Sequence, residues 1–144
     1  MKNRTLSFLV MLIFLIGIPS GCAPNLKERI VQIPPDISET SLTIVENILL
    51  ALERNEYNTF SRDFSQEMQK AMTKDSFENL QQAFQKNLGN LNSVSFIKAE
   101  SSQTYIATIF KAMYAKNSIT VRLVLSPSSP YIVTGLWFPD FPVK

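Results

Sequence analysis

The chain has 144 residues, 45% of them hydrophobic, and a formal net charge of +2, which suits one globular domain with its own core. It contains no histidine and a single cysteine, Cys22, which excludes Ser-His-Asp and Cys-His triads, the commonest zinc ligand sets and any disulfide within the chain. The nearly balanced charge also lacks the concentrated basic patch that nucleic-acid binding needs. We therefore expect no metal, no cofactor and no nucleic-acid partner, whereas a carboxylate, tyrosine or lysine mechanism stays open.

The first 22 residues have the order of a secretory signal peptide. Lys2 and Arg4 precede a nearly unbroken apolar run that ends at Ile18, and small residues follow. The apolar run of residues 6–18 is shorter than the roughly 20 residues that a membrane-spanning helix needs. We therefore predict a signal peptide over residues 1–21, with an uncleaved membrane anchor and ordinary secretion as the alternatives.

The small residues Ser20 and Gly21 stand directly before Cys22. This order resembles the lipobox of bacterial lipoproteins, in which the cysteine is lipidated and becomes the first residue of the mature protein. The resemblance implies an exported protein whose acylated, palmitate-bearing Cys22 anchors it to the outer face of the cell membrane, or to the outer membrane where the host has two. Pro19 departs from the pattern, since an aliphatic residue is usual at that position, and this makes processing the step to test.

Residues 22–35 are predicted to form a tether between the membrane and the domain, because proline-rich linkers extend. The prolines of this segment are Pro24, Pro34 and Pro35. The apolar residues of the part from Ile30 to Ile33 leave open that it docks on the domain. We expect a single domain over residues 36–144.

Asp36 and Glu39 have the spacing of a capping box, which predicts a helix from there to about Arg54. Its apolar face, spaced with the helical period, comprises Leu42, Val45, Leu49 and Leu52. Asn55 is expected to cap a short following helix that includes Phe60.

Two further helical patterns occupy the segment up to Gly89. The first is a series of large apolar residues at intervals of four, namely Phe60, Phe64, Met68 and Met72. On a continuous helix they would form one stripe, which packs in the core or, alternatively, lines a ligand site. Thr73 is expected to cap the second helix, which Gly89 ends. The predicted inner face of that helix consists of Phe77, Leu80, Phe84 and Leu88.

After Gly89 the apolar period changes to two, which predicts strands. They are expected to begin near Val94 and then to cover residues 105–114, 119–125 and 131–138. Short connections between them favour antiparallel pairing of neighbours. Helices first and strands last predict an α+β fold, in which N-terminal helices pack on a curved antiparallel sheet of about four strands.

Residues 41–138 resemble an uncharacterised domain family found in bacterial and archaeal lipoproteins and exported proteins. The residues that carry the resemblance are Ala51, Leu52, Glu56, Tyr57, Phe60, Phe64, Ser65, Met68, Met72, Phe77, Leu80, Leu88, Gly89 and the tail 133–138. The order of elements also looks like the cone-shaped α+β fold named after nuclear transport factor 2. That resemblance implies a cavity between helices and sheet that holds a ligand or a partner, and the family brings no catalytic residues to carry over.

Aromatic and methionine side chains are the candidates for lining this cavity, because ligand sites are mostly apolar with a few polar tips. The candidate ligand-binding residues are Tyr57, Phe60, Phe64, Met68, Tyr105, Tyr114 and Trp137. The alternative for each is a place in the core or at its rim. Asp63 is a weak catalytic candidate, since some enzymes of this fold use a cavity carboxylate as a base, and a cap or turn is its alternative role. Arg122 is expected to face away from the apolar side of its strand, either on a solvated face or against an anionic ligand.

Three functions are compatible with these features. The preferred one is a non-catalytic, lipid-anchored extracytoplasmic module that binds a small apolar ligand or an envelope protein. The second is a structural or assembly component of an envelope complex, and the third is a small isomerase or dehydratase using Asp63 with a tyrosine. The aromatic chain end, Phe138 and Phe141, is either a contact for a partner or folds back over the sheet edge. The oligomeric state is left open.

Overall fold

The computed structural model describes residues 33–141, so the predicted signal peptide, Cys22 and most of the predicted tether lie outside the described residues. The helices are α1 (Ile37–Glu53), α2 (Tyr57–Phe60), α3 (Gln66–Ala71) and α4 (Lys74–Asn87). The strands are β1 (Leu91–Ser101), β2 (Ile106–Tyr114), β3 (Ser118–Leu125) and β4 (Val133–Trp137). The strands form one antiparallel sheet in the order β1-β2-β3-β4. The predicted α+β class, with helices before a four-stranded antiparallel sheet, is confirmed.

Helix α1 begins where the sequence predicted, but the predicted capping box is not formed. Asp36 has helical backbone angles (φ −80°, ψ −15°), and its side chain makes no capping hydrogen bond. A capping residue normally has extended angles, which aim its side chain at the free amides of the first turn. The Ile37 N–H instead donates to the carbonyl oxygen of Pro34 at 3.0 Å, so a backbone turn satisfies the first donor. Ile33, at the start of the described chain, packs partly buried against the core.

Asn55 ends α1 and does not cap α2, contrary to the prediction. It has φ 59°, in the left-handed region that asparagine tolerates better than most residues. The Asn55 N–H donates to Leu52 O at 3.4 Å and the Glu56 N–H donates to Ala51 O at 2.8 Å. This pair of bonds is the Schellman arrangement, which satisfies the carbonyls at a helix end.

The four residues at intervals of four do not share one helix. Phe64 lies between α2 and α3, where it forms an isolated parallel bridge with Val133 of β4. The Ser65 hydroxyl then accepts the Met68 N–H at 3.2 Å and caps α3. The break turns the chain so that Phe64 reaches the sheet edge.

Helix α4 matches its prediction closely. The Thr73 hydroxyl accepts the Ser76 N–H at 3.2 Å at its start, and Gly89 with φ 75° follows its end. The predicted inner face is buried throughout, at Phe77, Leu80, Phe84 and Leu88. None of the helices in residues 33–141 is long and apolar enough to cross a membrane.

The two faces of the sheet differ in polarity. Side chains at alternate positions of β2 and β3, such as Phe110 and Leu123, are fully buried on the face that meets the core. The intervening positions place Lys111 and Arg122 on the outer face, as expected for Arg122. Strand β1 starts at Leu91, earlier than predicted, and carries two register shifts.

The chain end closes the core. Phe138 and Phe141 are buried, and their ring centroids lie 4.9 and 4.6 Å from that of Phe84 on α4. Of the two alternatives for this segment, the structure shows the one in which it folds back. The buried aromatic rings therefore connect α4, the sheet edge and the C-terminal segment.

Candidate functional site

An open, largely apolar groove of about 620 Å³ runs along β4, and we call it the β4 groove. Met72 and the α4 residues Ser76 and Leu80 form its helical wall, and Leu136 and Trp137 of β4 form the opposite wall. The volume lies in the range of small-molecule sites, which is roughly 300–1,000 Å³. The groove is therefore large enough for a ligand of modest size.

Tyr57 contacts the helical wall through a hydrogen bond and a ring contact. Its hydroxyl donates to the carbonyl oxygen of Met72 at 2.8 Å, and its ring meets Phe77 edge-on at 5.5 Å between centroids. Met72 is the residue that ends α3, so the bond fixes the short connection to α4. Tyr57 thus positions the groove wall and does not line the groove.

Trp137 lies flat on the outer face of the sheet because Gly135 has no side chain. A Cβ atom added at Gly135 would overlap the indole ring of Trp137. In β-sheets, an aromatic ring often packs over a nearby glycine and covers the backbone that the missing side chain would leave exposed. The ring stays 49% exposed and forms part of the groove.

Arg122 stacks on Trp137 and brings a positive charge to the groove. The two residues are directly opposed on β3 and β4, and the Arg122 Cζ lies 5.5 Å from the indole centroid. Such stacking orients a guanidinium and leaves its N–H edge available. Within residues 33–141 Arg122 forms no ion pair.

An acidic group, Asp140, is bonded to the same strand. Its carboxylate accepts a hydrogen bond at 2.6 Å from the hydroxyl of Thr120, two residues before Arg122 on β3.

Asp63, the weak catalytic candidate, lies in a second and more polar groove of about 480 Å³. Arg62 Nε and Nη2 donate to its two carboxylate oxygens at 3.0 and 2.7 Å. This pairing raises the pKa of Arg62. The Asp63 carbonyl oxygen accepts the Val133 N–H at 2.8 Å. Asp63 therefore lies at the sheet edge, is ion-paired with Arg62, and is outside the apolar β4 groove.

The structure does not bring the seven candidate ligand-binding residues together. Phe60 and Phe64 are buried and pack on each other at 5.1 Å between centroids. Met68 is partly buried against the core, and Tyr105 is exposed just before β2. Trp137 alone of the seven lines the β4 groove. Apolar spacing identifies a face that is withdrawn from water, but it does not tell a filled core from a lined cavity.

Tyr114 is buried and packs edge-on against Phe84 at 6.0 Å between centroids. Its hydroxyl has no hydrogen-bond partner among the described residues. Burial, and then the charge of Glu53, raise the pKa of Tyr114 well above its ordinary value. The Glu53 carboxylate accepts the Leu91 N–H at 3.0 Å, so it ties the end of α1 to β1.

The sequence reasoning missed most of the groove. Leu80 and Phe138 were assigned to the core or to the chain end, Leu136 was named only as part of the last strand, and Ser76 was not singled out. The available signal was Pro139 after an aromatic-rich strand, since proline ends a strand and turns the chain back. Within residues 33–141 no three acidic or cysteine side chains come together as metal ligands, and the chain has no histidine.

Comparisons with known proteins give a family but no characterised relative. Neither the curated proteins nor the solved structures gave a match. A family model described as a protein of unknown function, DUF3887, matches residues 45–127, from within α1 to just beyond β3. The match leaves out β4, which carries one wall of the groove. Because it covers more than half of the chain, the chain belongs to the DUF3887 family.

Proposed function

We propose that this chain is a lipid-anchored extracytoplasmic binding module that takes a small apolar ligand in the β4 groove. The observation that carries the proposal is the groove itself, which is lined by Leu80, Leu136 and Trp137 and open to solvent. Apolar concavities with few polar groups are the usual form of small-molecule sites. Residues 33–141 offer no competing constellation, because Asp63 is paired with Arg62 and lies outside this groove.

The proposed site lies at the edge of the sheet. The resemblance to the cone fold suggested a cavity between helices and sheet, but Phe60 and Phe110 are fully buried there. In our proposal the domain keeps the cone-like order of elements, and the ligand enters beside β4. The folded-back C-terminal segment, with Phe138 and Phe141, closes one side of the site.

Ligand binding can be tested with the only tryptophan of the chain, Trp137, because it lies in the groove. The full chain, held in lipid nanodiscs, is titrated with a terminally brominated medium-chain alcohol, whose bromine quenches a nearby indole. We expect saturable quenching. Ser76→Phe fills the groove from α4 and should abolish the saturable part, whereas Ser95→Phe, at an exposed position of β1, should not. Quenching that does not saturate, or that saturates equally in Ser76→Phe, would overturn the proposal.

The anchoring half of the proposal rests on the residues around Cys22. Ser20 and Gly21 fit the processing site of lipoproteins, and Pro19 does not. Mass spectrometry of the mature protein tests it directly, since we expect a chain that starts at a diacylated or triacylated Cys22. An unmodified Cys22, or a chain that still starts at Met1, would overturn the lipid anchor and leave groove binding to be judged on its own experiment.

A second candidate, an assembly component of the envelope, is favoured by one observation on β1. Ile97 is 52% exposed at a register shift of this edge strand, and Phe96 beside it is 37% exposed. Exposed apolar side chains on one strand suit a contact with another protein. A photo-crosslinking residue in place of Ile97 should capture one dominant protein neighbour in intact cells. Capture of none would count against this candidate.

A further inference from the structure

We infer that the β4 groove selects a single-chain amphiphile with an anionic head group, in which Arg122 pairs with the head and the groove holds the chain. The inference rests on the proposed function and names the class of its ligand. It follows from two neighbouring surfaces of opposite character, a cationic rim and an apolar trough.

The cationic rim is Arg122. Its guanidinium stacks on Trp137, and within the described residues it forms no ion pair. Lys98 is paired with Glu100 and Arg62 with Asp63, whereas Lys111, on the same sheet face, lies outside the groove. A stacked arginine with its N–H edge available matches the planar geometry of a carboxylate or the oxygens of a phosphate. Within residues 33–141, Arg122 is therefore the one cation that lines the β4 groove.

The apolar trough is formed mainly by hydrocarbon side chains. Leu80 and Leu136 face each other across it, and Phe138 closes its inner side. The one side-chain hydroxyl, that of Ser76, is within hydrogen-bond distance of the Thr73 hydroxyl at 3.0 Å. An uncharged polar ligand would therefore find few partners, while a hydrocarbon chain would remove apolar surface from water.

An extended peptide fits this site less well. A peptide that adds to a sheet edge needs a row of free backbone donors and acceptors. At the start of β4, the Val133 N–H and carbonyl oxygen are already bonded to Asp63 and Ser65, both at 2.8 Å. The helical wall then lies alongside the rest of the groove. These contacts favour a narrow acyl chain over an added strand.

Two acidic groups would oppose an anion here, namely Glu100 of β1, whose pKa is lowered in part by the charge of Arg122, and Asp140. Asp140 is bonded to Thr120, two residues before Arg122 on the same face of β3. Its charge should weaken the attraction of Arg122 for a head group without cancelling it, because charges at a solvated surface are screened. Asp140→Asn is therefore expected to tighten binding of an anionic ligand about twofold by removing a like charge.

The experiment compares a terminally brominated medium-chain fatty acid with the alcohol of the same chain length. Both are titrated into the full chain in nanodiscs, at a pH where the acid is ionised, with Trp137 quenching as the readout. We expect the acid to half-saturate at about tenfold lower concentration, as one charged hydrogen-bonded contact provides. Arg122→Gln should reduce this preference about tenfold, and Arg122→Lys should restore part of it. Lys111→Gln, on the same sheet face outside the groove, is the matched control.

The outcomes separate the two proposals. If neither compound quenches saturably, the proposed function fails. If the ratio of the acid and alcohol half-saturation concentrations is the same in Arg122→Gln as in the unmodified chain, the groove binds apolar ligands and the inference about the head group is wrong. This ratio is compared between chains, so unequal uptake of the two compounds by the bilayer cancels.

Discussion

The two edges of the sheet are protected in different ways. β1 has 11 residues, most of its side chains are exposed, and within residues 33–141 no strand pairs with its outer edge. It carries register shifts around Asn92 and Ile97, and Lys98 and Glu100 add charges. Bulges and charges are the usual means by which an edge strand avoids pairing with another chain. This edge is therefore protected by its own register shifts and charges.

The β4 edge is covered by other parts of the chain. β4 has five residues, and the segment from Asp63 to Ser65 bonds to the backbone of Val133 on its free side. The chain then folds back so that Phe138 and Phe141 pack on Phe84. Covering an edge with several segments of the chain leaves a concave surface between them. Comparison of the two edges indicates that covering, and not exposure, creates the candidate site.

The largest loss of stability is expected from removing the ring of Phe84, on which the folded-back C-terminal segment packs. Phe84→Ala deletes the common partner of Phe138, Phe141 and Tyr114, and should lower the free energy of unfolding by about 3–5 kcal/mol. Urea denaturation of the full chain measures this loss. The groove should open at the same time, because its inner side loses support.

The matched change on the other edge is Phe96→Ala. This ring is 37% exposed and meets one partner, Phe110, at 5.7 Å between centroids. We expect a loss of about 1 kcal/mol, the scale of one aromatic pair. Equal losses for Phe84→Ala and Phe96→Ala would show that the two edges depend on side-chain packing to the same degree.

A smaller effect is expected at Gly135, whose missing side chain makes room for Trp137. Gly135→Ala should displace the ring from the sheet and lower the free energy of unfolding by about 1–3 kcal/mol, the usual cost of overpacking. The emission of Trp137 should change as the ring leaves Arg122. Adding Trp137→Ala should remove most of the cost of Gly135→Ala. Additive losses in the double variant would mean that the strain lies elsewhere.

The N-cap of α3, Ser65, belongs to the segment that bonds to the backbone of Val133 and covers the start of β4. Ser65→Ala removes the acceptor for the Met68 N–H and should cost about 1 kcal/mol. Hydrogen exchange of the Val133 amide should become faster, because the neighbouring segment is held less firmly. Thr73→Ala removes a similar cap at α4 and should leave exchange at Val133 unchanged. Faster exchange in both variants would contradict a local role for Ser65.

Local signals in the sequence predicted most of the fold. Thr73 and Gly89 bounded α4, and alternating residues in β2 and β3 gave the sheet, because caps and periodicity act over a few residues. The predictions at Asp36 and Asn55 were wrong, since both residues suit several roles and the backbone of the surrounding turn decided between them. Residue type and spacing alone do not show whether such a residue begins a helix, ends one or lies in a turn.

The candidate site could not be predicted in the same way. The groove combines Leu80 with Leu136, residues far apart in the chain that meet only after the sheet forms. Phe60 and Phe64 had the pattern of a lining, but they fill the interior. Trp137 was the exception, because it was already a candidate as an aromatic side chain with a polar tip, and it does line the groove. Arg122 was placed on the outer face by alternation, but its stacking on Trp137 depends on the register of β3 with β4.

The smallest effect is expected on β1, at the pair of Lys98 and Glu100. The hydrogen bond from Lys98, and then its charge, lower the pKa of Glu100, with a lesser contribution from Arg122. A carboxylate with a lowered folded-state pKa stabilises the fold above its unfolded pKa, and this contribution is lost as the pH falls through the folded pKa. Glu100 is fully exposed, so an NMR titration of its carboxylate is a better measurement than unfolding.

Lys98→Gln should move the titration midpoint of Glu100 up towards its ordinary value, and added salt should do the same to a smaller extent. A midpoint that does not move would mean that the charges on β1 act independently. The register shifts would then be the main protection of that edge, and the exposed Ile97 would become the place where an added charge most changes association with a partner.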